Sequence, residues 1–398
     1  PASVVCAETL RQEGFTGLVT MITREHFHPY DRPKLSKMMD TTAEAMSLRP
    51  PEFYQEHDIT VLTGTEAVSV DIRSRLVTLS SGSTLAYDKL LIATGATPRV
   101  LSCPGAHLEG VFTLRSPDEA NRIASMAAGA NLVVVGSSFI GMEVAASLSD
   151  KAHSVSVVGS SDVPFKRTLG VLVGQAIMKL CERHGVKFYM SHEVSELRGV
   201  DGRLREVKLK SGKVLRADVC VMGIGVVPST GFLKHSGIHL DSRGHIPLDK
   251  SLQSNVPAVY AAGDVASFPL PLRAGKRVNI SHWQVAHAHG RAVGLAMMNR
   301  EVEFKTVPFF WTALCGKSLR YTGYGDGFED VLIQGDLDEL RFIAYYIKNE
   351  DVVAVASMNW DPVVSHFAEV MNSGGTVTRR DVESSDLPWV KEHEQMKF

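Results

Sequence analysis

Hydrophobic and polar positions follow two different periods along this chain, and the change of period separates two kinds of structure. In the first three quarters, short apolar runs such as 131–135 and 154–159 alternate with segments of helical period such as 3–13 and 169–184. Buried strands that alternate with helices are typical of a parallel sheet covered by helices on both faces. This part of the chain therefore predicts a doubly wound α/β architecture.

Further strands are predicted where apolar and β-branched residues cluster between turn residues, at 17–23, 59–63, 68–72, 75–79, 89–95, 186–190, 205–209, 217–225 and 255–264. A helix is expected from about residue 283 to residue 299. From residue 317 the period becomes two, which predicts antiparallel strands at 317–323, 329–334, 339–347 and 352–358, followed by a short helix at 361–372. The fold class predicted is α/β, with two Rossmann-like doubly wound nucleotide-binding domains and a C-terminal α+β domain with an antiparallel meander.

Composition narrows the classes of function. The chain has 398 residues, 44% hydrophobic and 22% charged, and a formal net charge of −2, so it has no general electrostatic attraction to nucleic acid or to an anionic membrane. No apolar run approaches the ~18 residues that a membrane span needs. The first residue is Pro rather than Met, which predicts a fragment or a processed form.

The number and spacing of the cysteines exclude further classes of protein. The chain has five cysteines, which are widely separated and form no C-x-x-C pair: Cys6, Cys103, Cys181, Cys220 and Cys315. This pattern argues against a disulfide scaffold, a zinc ribbon and a redox dithiol, and we predict no metal site. We expect all five to be buried small residues of a protein in a reducing compartment.

The segment 131–150 carries the most informative motif. A continuous apolar strand runs into Gly136, Ser138 and Gly141, spaced as G-x-S-x-x-G, and then into a helix. A strand, a glycine turn and a helix in this order form the dinucleotide-binding fingerprint, in which small residues let the backbone approach the pyrophosphate. Ser replaces the middle glycine, which weakens the motif without cancelling it. We predict nucleotide binding here, against the alternative of a turn that only packs a helix.

The residue that selects between the two nicotinamide cofactors is absent. An acid should end the next strand and bind the adenosine ribose, but that position is Gly159. Because this position has no carboxylate, a 2′-phosphate would not be repelled there. Lys166 and Arg167 follow closely in sequence, either as phosphate ligands or as solvated surface residues. The choice between NADH and NADPH therefore stays open.

A second cluster of charge lies in "HPYDRPKLSK" at 28–37. Arg32 suits a pyrophosphate because its guanidinium is bidentate and always charged. Lys37 opens a predicted helix, where the dipole gives a cation no benefit, so we expect a specific partner. Our candidate is Glu143, two residues after Gly141; the alternative is that both are ordinary surface charges.

These motifs together resemble the FAD-dependent pyridine-nucleotide reductases of the ferredoxin-reductase type. The same order of "PYDRPKLSK", "LLIATGATPR", G-x-S-x-I-G-x-E and "VPAVYAAGDVA" occurs in that family. Segments such as "FYMSHEVSELRG", "HWQVAHAHGR" and "GKSLRYTGYG" resemble most the apoptosis-inducing-factor-like branch. The resemblance covers essentially the whole chain.

The resemblance implies an FAD-binding domain at 1–114 and 246–299, an NAD(P)H-binding domain at 115–245 and a C-terminal domain at 300–398. It assigns Lys37, paired with Glu143, a role beside the flavin during hydride transfer. It also implies FAD-binding residues, namely Glu25, Arg32, Lys37, Val68, Thr94, Gly95, Arg99, Asp264, Trp283 and Trp311. For NAD(P)H it implies Gly136, Ser138, Ile140, Gly141, Gly223 and Ile224.

Three of these assignments have ordinary alternatives. Arg24 occupies the position that some relatives fill with an acid, so the ribose-binding role of Glu25 is a weak assignment. Asp264 could be a plain turn residue at a strand end, and Trp311 could be a buried core residue. The helix that opens near Trp283 is expected to direct the positive end of its dipole to the flavin.

The start of the chain fits the same interpretation. Relatives have a strand and a G-x-G immediately before the equivalent of "PAS" at residues 1–3, so we expect the central strand of the FAD sheet to lie upstream. The branch also carries an amino-terminal Rieske module, whose complete ligand set, a C-x-H followed by a C-x-x-H, does not occur in this sequence.

The resemblance predicts an enzyme that transfers hydride from NAD(P)H to FAD N5 and passes electrons to an iron–sulfur partner, a quinone or oxygen, with a link to apoptosis. Positioning does most of the catalysis in such a transfer, so no nucleophile is needed. The alternative is a pro-apoptotic binding or signalling protein that keeps the fold and does not need turnover. A homodimer and a mitochondrial or cytoplasmic location are further expectations, and a nucleic-acid partner is not expected.

Overall fold

The computed structural model describes residues 1–384 and Leu387, so the last part of the predicted C-terminal domain lies outside the described residues. The α-helices are α1 (Ala2–Gln12), α2 (Pro51–Glu56), α3 (Pro117–Ala127), α4 (Phe139–Leu148), α5 (Lys166–Arg183), α6 (Trp283–Met297), α7 (Val363–Asn372) and α8 (Arg379–Glu383). Short 3₁₀ turns lie at Arg32–Ser36, Gly231–Leu233, Gly263–Val265 and Pro271–Arg273.

Most strands are short, and many of them occur as hairpins or parallel pairs. The strands before residue 150 are β1 (Val19–Ile22), β2 (Ile59–Leu62), β3 (Ala67–Asp71), β4 (Leu76–Leu79), β5 (Thr84–Ala86), β6 (Leu90–Ile92), β7 (Ala96–Pro98), β8 (Val111–Phe112) and β9 (Asn131–Val135). The next are β10 (Ser154–Gly159), β11 (Val186–Met190), β12 (Val194–Val200), β13 (Arg203–Leu209), β14 (Val214–Arg216), β15 (Val219–Met222), β16 (Val226–Pro228), β17 (Ile246–Pro247), β18 (Val259–Ala261), β19 (Ala266–Leu270) and β20 (Lys276–Val278). The last are β21 (Phe309–Leu314), β22 (Lys317–Gly323), β23 (Asp330–Asp336), β24 (Arg341–Lys348) and β25 (Asp351–Met358).

The chain forms two compact units, and each one contains several stretches of sequence. The first unit comprises Pro1–Pro33, Thr41–Thr97 and Val226–Thr306, and the second comprises Lys34–Asp40, Pro98–Gly225 and the residues from Val307 onward. The short stretch Lys34–Asp40, which contains Lys37, therefore belongs to the second unit although its neighbours in sequence belong to the first. The three predicted domain boundaries stay a prediction.

In the first unit, helices α1 and α6 pack at backbone contact. A Cβ on Gly290 would lie 2.3 Å from the Ala2 carbonyl oxygen, and a Cβ on Gly294 would lie 2.7 Å from Thr9 Cβ. These two glycines are four residues apart, so they share one face of α6 and let α1 lie against it. Parallel strands form the pairs β1–β2 and β6–β18, while β3–β4–β5 is antiparallel.

A five-stranded parallel sheet in the order β11-β10-β9-β15-β8 organises the second unit. Its central strand β9 is buried along Leu132–Val135 and continues directly into the turn that starts α4. In a doubly wound sheet, the strand order reverses beside the first strand, and the crevice at the carboxyl ends there binds ligands. The fingerprint turn at the end of β9 occupies that position.

The second unit also contains a fully antiparallel sheet in the order β21-β22-β25-β24-β23. Strands β23, β24 and β25 form a meander, but β22 pairs with β25 rather than with β23, so the order departs from that of a simple meander. Tyr345, Tyr346 and Phe342 are fully buried in this sheet. The strand β21, which carries Trp311, was not predicted.

One predicted helix differs in an informative way. We expected a helix at 169–184, whereas α5 covers Lys166–Arg183 and is interrupted at Gly170, whose φ is 79° and ψ is 177°. Only glycine adopts these angles without strain. The backbone of α5 changes direction at Gly170, so the first turn of α5 is separate from the rest of the helix.

Candidate functional site

The fingerprint turn in the second unit is built by backbone packed on backbone. A Cβ on Gly136 would lie 2.0 Å from the Gly223 carbonyl oxygen, and a Cβ on Gly141 would lie 2.0 Å from the Gly136 carbonyl oxygen. Gly136 also has a φ of 112°, which favours glycine. Gly223 completes the contact, because a Cβ there would lie 2.9 Å from the Gly141 amide nitrogen. The structure thus brings these three predicted residues together.

The start of α4 offers hydrogen-bond donors. Ser138 is the N-cap residue, and its side chain makes no capping hydrogen bond to the helix. The first intrahelical bond at this end is from the Met142 amide to the Ser138 carbonyl, at 2.9 Å. Helix N-termini with small residues around them bind phosphate through their first amides and the dipole. The turn therefore fits the pyrophosphate of a dinucleotide.

Gly159 lies at the end of β10, at the position where the dinucleotide-binding fingerprint predicts a ribose-binding acid. A Cβ at this position would lie 2.6 Å from Ser137 Oγ and 2.7 Å from Met190 Cε. A larger side chain at this position would therefore require the Ser137 and Met190 side chains to move. Lys166 and Arg167 form exposed ion pairs with Asp162 at 2.9 Å and Asp326 at 3.3 Å.

Glu143 lies two residues past Gly141 on α4 and is buried, with only 6% of its surface exposed. Its Oε2 accepts a hydrogen bond from Lys37 Nζ at 3.0 Å and another from Ser36 Oγ. Its Oε1 accepts a hydrogen bond from Thr312 Oγ1 at 2.7 Å. We call these four residues the Glu143 cluster, and the predicted contact between Lys37 and Glu143 is present in it.

The energetics of the Glu143 cluster explain its composition. A buried carboxylate is costly unless it is hydrogen-bonded and paired with a cation. Lys37 supplies the cation and keeps 24% of its side chain exposed. Ser36 donates to the same oxygen as Lys37, and Thr312 donates to the other oxygen, so the Lys37 ammonium is held by a carboxylate that is itself fixed from two sides.

The first unit carries a different charged centre around Arg32. Arg32 Nη2 donates to Glu25 Oε2 at 2.7 Å, and Tyr30 OH donates to Glu25 Oε1 at 2.6 Å. The guanidinium also lies over the Tyr30 ring, 4.8 Å from its centroid. Burial alone would lower the pKa of Arg32, but the hydrogen bond to Glu25 and the charges of Tyr30, Glu25 and Asp264 raise it above the usual value. Arg32 is therefore a permanent cation.

Asp264 and His282 belong to the same polar region of the first unit. Asp264 lies in the 3₁₀ turn Gly263–Val265, and His282 is the N-cap of α6, with Trp283 as its first helical residue. Burial lowers the pKa of His282 to about 4, against the opposing charge of Asp264. The side chain of His282 makes no capping hydrogen bond to α6. The N-terminus of this helix carries the positive end of its dipole.

A buried histidine fixes the turn that carries Asp264. His289 is fully buried, and its Nδ1 accepts a hydrogen bond from the Gly263 amide at 3.0 Å. Burial lowers the pKa of His289 to about 3, so it is neutral and carries its proton on Nε2. Gly263 has a φ of 75°. His289 therefore supports the glycine conformation that precedes Asp264.

The other predicted residues occupy several places. Thr94 Oγ1 donates to the Ser229 carbonyl at 2.7 Å, and Gly95 accepts from the Ser229 amide at 2.9 Å, both in the first unit. In the second unit, the Arg99 amide donates to the Gly225 carbonyl at 2.9 Å. Trp311 is 42% exposed, which excludes the alternative of a core tryptophan. The remaining positions are Val68 and Ile140, both exposed, and Ile224, which packs against the core of the second unit.

Each polar centre fits one of the cofactors. The Arg32 guanidinium, the α6 N-terminus and the Asp264 carboxylate suit a pyrophosphate and the hydroxyl groups of a ribityl chain, which are parts of FAD. The β9–α4 turn suits NAD(P)H, as described above. Among the described residues, none of the helices combines the length and the apolar character that crossing a membrane requires.

Comparison with protein-family models identifies the family of this chain. The sequence model of the pyridine nucleotide-disulphide oxidoreductases matches residues 1–290. The chain belongs to this family. Reductases of the ferredoxin type in the family use FAD and NAD(P)H, so the predicted family, class of enzyme and cofactor pair are confirmed at this level.

Individual relatives agree with this result. The chain is 56% identical to apoptosis-inducing factor 3 of Homo sapiens, over 98% of this chain and 66% of that protein, so it spans slightly less than two thirds of this relative. It is 33% identical to rhodocoxin reductase of Rhodococcus erythropolis, over 90% of this chain and 84% of that one. The chain is therefore similar in sequence to both relatives over at least 90% of its own length.

Solved structures confirm the predicted fold class. A ferredoxin reductase from Rhodopseudomonas palustris superposes with a TM-score of 0.91 at 27% identity, covering 98% of this chain and 97% of that one. A putidaredoxin reductase, solved in a covalent complex with putidaredoxin, gives 0.92 at 25% identity, covering 98% and 94%. The architecture is therefore shared with reductases over nearly the whole chain.

Sequence reasoning missed four residues of these centres, namely Tyr30, Ser36, Thr312 and His289. Tyr30 and Ser36 lie inside the motif at 28–37, so the motif itself was their signal. Thr312 is 169 residues from Glu143, and no local pattern marks it. His289 is buried, and no local pattern in the sequence marks its contact with Gly263.

Proposed function

We propose that this chain is the catalytic part of an FAD-dependent NAD(P)H oxidoreductase that delivers electrons to a small iron–sulfur protein. The observation that carries the proposal is the Glu143 cluster, placed two residues past the fingerprint glycine. It holds a lysine cation by a buried carboxylate on the same helix whose N-terminus fits a dinucleotide. A structural ion pair alone would not need this position.

The residues of the second unit would bind and orient the nicotinamide nucleotide. The amides at the start of α4 would hold its pyrophosphate, and Gly136, Gly141 and Gly223 keep that approach open. Gly159 excludes a carboxylate beside the adenosine ribose. Lys37 would supply a fixed positive charge at the reacting end, since its ammonium is oriented by Glu143 and cannot rotate freely.

The residues of the first unit would bind the flavin. Arg32 would neutralise the pyrophosphate, Asp264 would accept hydrogen bonds from the ribityl hydroxyls, and the N-terminus of α6 with Trp283 would favour negative charge. When bound, FAD supplies a hydride acceptor that can release electrons singly. The roles of Glu25, Val68, Thr94, Gly95, Arg99 and Trp311 are part of the same proposal.

The relatives support the proposed acceptor. A Pseudomonas putida relative that is 29% identical over 90% of this chain is a rubredoxin-NAD(+) reductase, and the putidaredoxin reductase was solved with putidaredoxin. Both pairings join a reductase with an iron–sulfur protein of the ferredoxin or rubredoxin type. We therefore propose an iron–sulfur acceptor ahead of a quinone or oxygen. A homodimer and a mitochondrial or cytoplasmic location stay predictions.

The experiment uses the full-length protein with its native flavin. NADH or NADPH is mixed with it without oxygen, and loss of the oxidised flavin absorbance is followed by stopped flow. A [2Fe–2S] ferredoxin, a rubredoxin and a soluble quinone are then compared as acceptors. The proposal expects rapid reduction of the flavin and faster reduction of an iron–sulfur protein than of quinone or oxygen. A protein that retains FAD but is not reduced by either nucleotide would contradict it.

The apoptotic link is the finer part of the proposal and rests on the printed name of the human relative. A variant that binds FAD but not NAD(P)H separates the two candidate functions in cells. If cell death depends on turnover, this variant is inactive. If it kills cells as the parent does, the binding role of the alternative is correct and turnover is dispensable.

A further inference from the structure

Two cysteines that are far apart in sequence meet in the second unit. Cys181 Sγ and Cys315 Sγ lie 4.0 Å apart, although the residues are separated by 134 positions. Cys181 is buried in the last turn of α5, and Cys315 is half-buried at the tip of the β21–β22 hairpin. The expectation that all five cysteines are buried is wrong, because Cys103 and Cys315 are half-buried.

Helix α5 is attached to the antiparallel sheet along its length, which holds the two sulfurs in place. Tyr346 OH donates to the Leu169 carbonyl at 2.8 Å near the start of the helix. Lys179 Nζ lies 3.2 Å from Asp338 Oδ1 near its end. The contact between Cys181 and Cys315 is thus one point of a packed surface inside a single unit.

The position of Cys315 in the hairpin is unusual. Cys315 and Gly316 form the two-residue turn between β21 and β22, with φ values of 49° and 75°. Turns of this kind favour Asn, Asp or Gly at the first position, because other side chains adopt a positive φ at a cost. A cysteine there needs a reason other than turn formation, and its sulfur is directed at a second sulfur.

The two thiols have opposite chemistry. The hydrogen bond between the two thiols lowers the pKa of the Cys315 thiol to about 7; burial and Asp150 oppose this change, and His184 adds to it. The same interaction, together with burial and the charge of Glu182, raises the pKa of Cys181. At neutral pH about half of Cys315 is therefore a nucleophilic thiolate, and Cys181 keeps its proton.

We propose that Cys181 and Cys315 form a reversible disulfide when the protein meets a hydroperoxide, with Cys315 attacking and Cys181 resolving. The Cys315 thiolate attacks a peroxide oxygen, the O–O bond breaks, and a sulfenic acid and hydroxide form. The Cys181 sulfur then displaces hydroxide from the sulfenic acid, its proton goes to that hydroxide, and the S–S bond forms. Two thiols are oxidised by two electrons, and hydrogen peroxide is reduced to two waters.

The other cysteines of the second unit provide a contrast. Cys103 packs against the core that contains Cys220, but burial raises the pKa of both thiols, that of Cys220 to about 12. A disulfide between these two therefore lacks a thiolate to start it. Selectivity for Cys181 and Cys315 is the signature that distinguishes the proposal from general oxidation of cysteines.

The link would act on the hairpin that carries Thr312. Thr312 lies on β21, and Cys315 follows it by three residues, in the turn after that strand. A disulfide bond to Cys181 would therefore join the tip of the hairpin to α5. We expect the oxidised second unit to resist denaturation better than the reduced one, because the bond closes a loop of 134 residues. A reductant should reverse this shift.

The test uses the full-length protein, reduced and then treated with one equivalent of hydrogen peroxide at pH 7. After alkylation and trypsin digestion, mass spectrometry should find the peptides 180–183 and 306–317 joined, and a dithiol should separate them. With dimedone present, Cys181→Ser should accumulate a sulfenic-acid adduct on Cys315, and Cys315→Ser should give neither product. Cys103→Ser is the control and should behave as the parent.

The proposal is overturned if the joined peptides are absent, or are no more abundant than a Cys103–Cys220 link. It is also overturned if Cys181→Ser accumulates no adduct on Cys315. A measurement without substitutions covers the case of misfolded variants. In the folded parent at pH 7, iodoacetamide should alkylate Cys315 roughly fivefold faster than Cys103, after the higher thiolate fraction is corrected for lower nucleophilicity. Equal rates would remove the basis for Cys315 as the attacking residue.

Discussion

Thr312 Oγ1 donates a hydrogen bond to Glu143 Oε1 at 2.7 Å, so a strand of the antiparallel sheet holds one side of the carboxylate whose other side binds Lys37. Both side chains are buried, and Thr312 has no exposed surface. The contact joins α4, which starts at the nucleotide turn, to β21 within one unit. The antiparallel sheet therefore supports the orientation of the proposed catalytic lysine.

Replacing Thr312 by Val keeps the shape of the side chain and removes its hydroxyl. Glu143 Oε1 would then be buried without this donor, and we expect the free energy of unfolding to fall by about 1–3 kcal/mol. Urea denaturation measures the change. Thr312→Ser keeps the hydroxyl and should recover most of the loss. Equal stability of the Val variant and the parent would show that the bond contributes nothing net.

Replacing Lys37 by Met removes the cation but keeps a similar length of side chain. We expect flavin reduction by NADH to slow by tenfold or more, which corresponds to about 1.4 kcal/mol or more of lost transition-state stabilisation. Stopped-flow absorbance measures the rate, and Lys37→Arg should retain part of it. Lys34→Met, three residues away on the same segment, is the matched control. Unchanged reduction in Lys37→Met would remove Lys37 from the mechanism.

Much of the architecture was predictable because its causes are local. Residues 154–159, 186–190 and 317–323 form strands with the predicted bounds, since each is a β-rich run between turn residues. The β9–α4 fingerprint was equally clear, because its strand, glycine turn and helix follow one another directly in sequence, although Gly136 also contacts the distant Gly223. The pairing of Lys37 with Glu143 was predicted from charge and helix position, and the contact exists. Their roles in the reaction stay predictions.

What could not be predicted depends on contacts between distant segments. Thr312 reaches Glu143 across 169 residues, and Cys315 reaches Cys181 across 134, with no local pattern to mark either partner. The order of the C-terminal strands could not be predicted for the same reason, because β22 pairs with β25 only once the whole sheet forms. Spacing between cysteines in sequence was a poor guide here, since folding brings two of them together.

Replacing Gly141 by Ala tests the nucleotide turn. The added Cβ would lie 2.0 Å from the Gly136 carbonyl oxygen, so the turn and the start of α4 must move apart. We expect affinity for NADH to fall at least tenfold while bound FAD is retained. Isothermal titration measures the affinity. Gly231→Ala, where nothing lies within 4 Å of the added Cβ, is the control and should bind NADH normally. Normal affinity in Gly141→Ala would contradict a dinucleotide site at this turn.

Burial of His289 makes stability depend on pH. Its pKa is about 3 in the folded protein, whereas an unfolded histidine has a pKa near 6.5, so below pH 6.5 the unfolded state binds the proton and the folded state does not. The contribution of neutral His289 to the free energy of unfolding is therefore fully present above about pH 6.5, and it is lost as the pH decreases toward 3. Between pH 7 and pH 5 the loss from this residue is about 2 kcal/mol.

Urea denaturation at pH 7 and at pH 5 measures that loss, and His289→Gln should reduce it because glutamine does not titrate. His287→Gln, two positions earlier on α6, is the comparison. Burial lowers the pKa of His287 as well, but the residue is more exposed, so this variant should remove less of the pH dependence. His282, whose pKa burial also lowers, leaves a residual dependence of the same sign in both variants. If His289→Gln keeps the full pH dependence of the parent, His289 is not the residue whose protonation opposes folding.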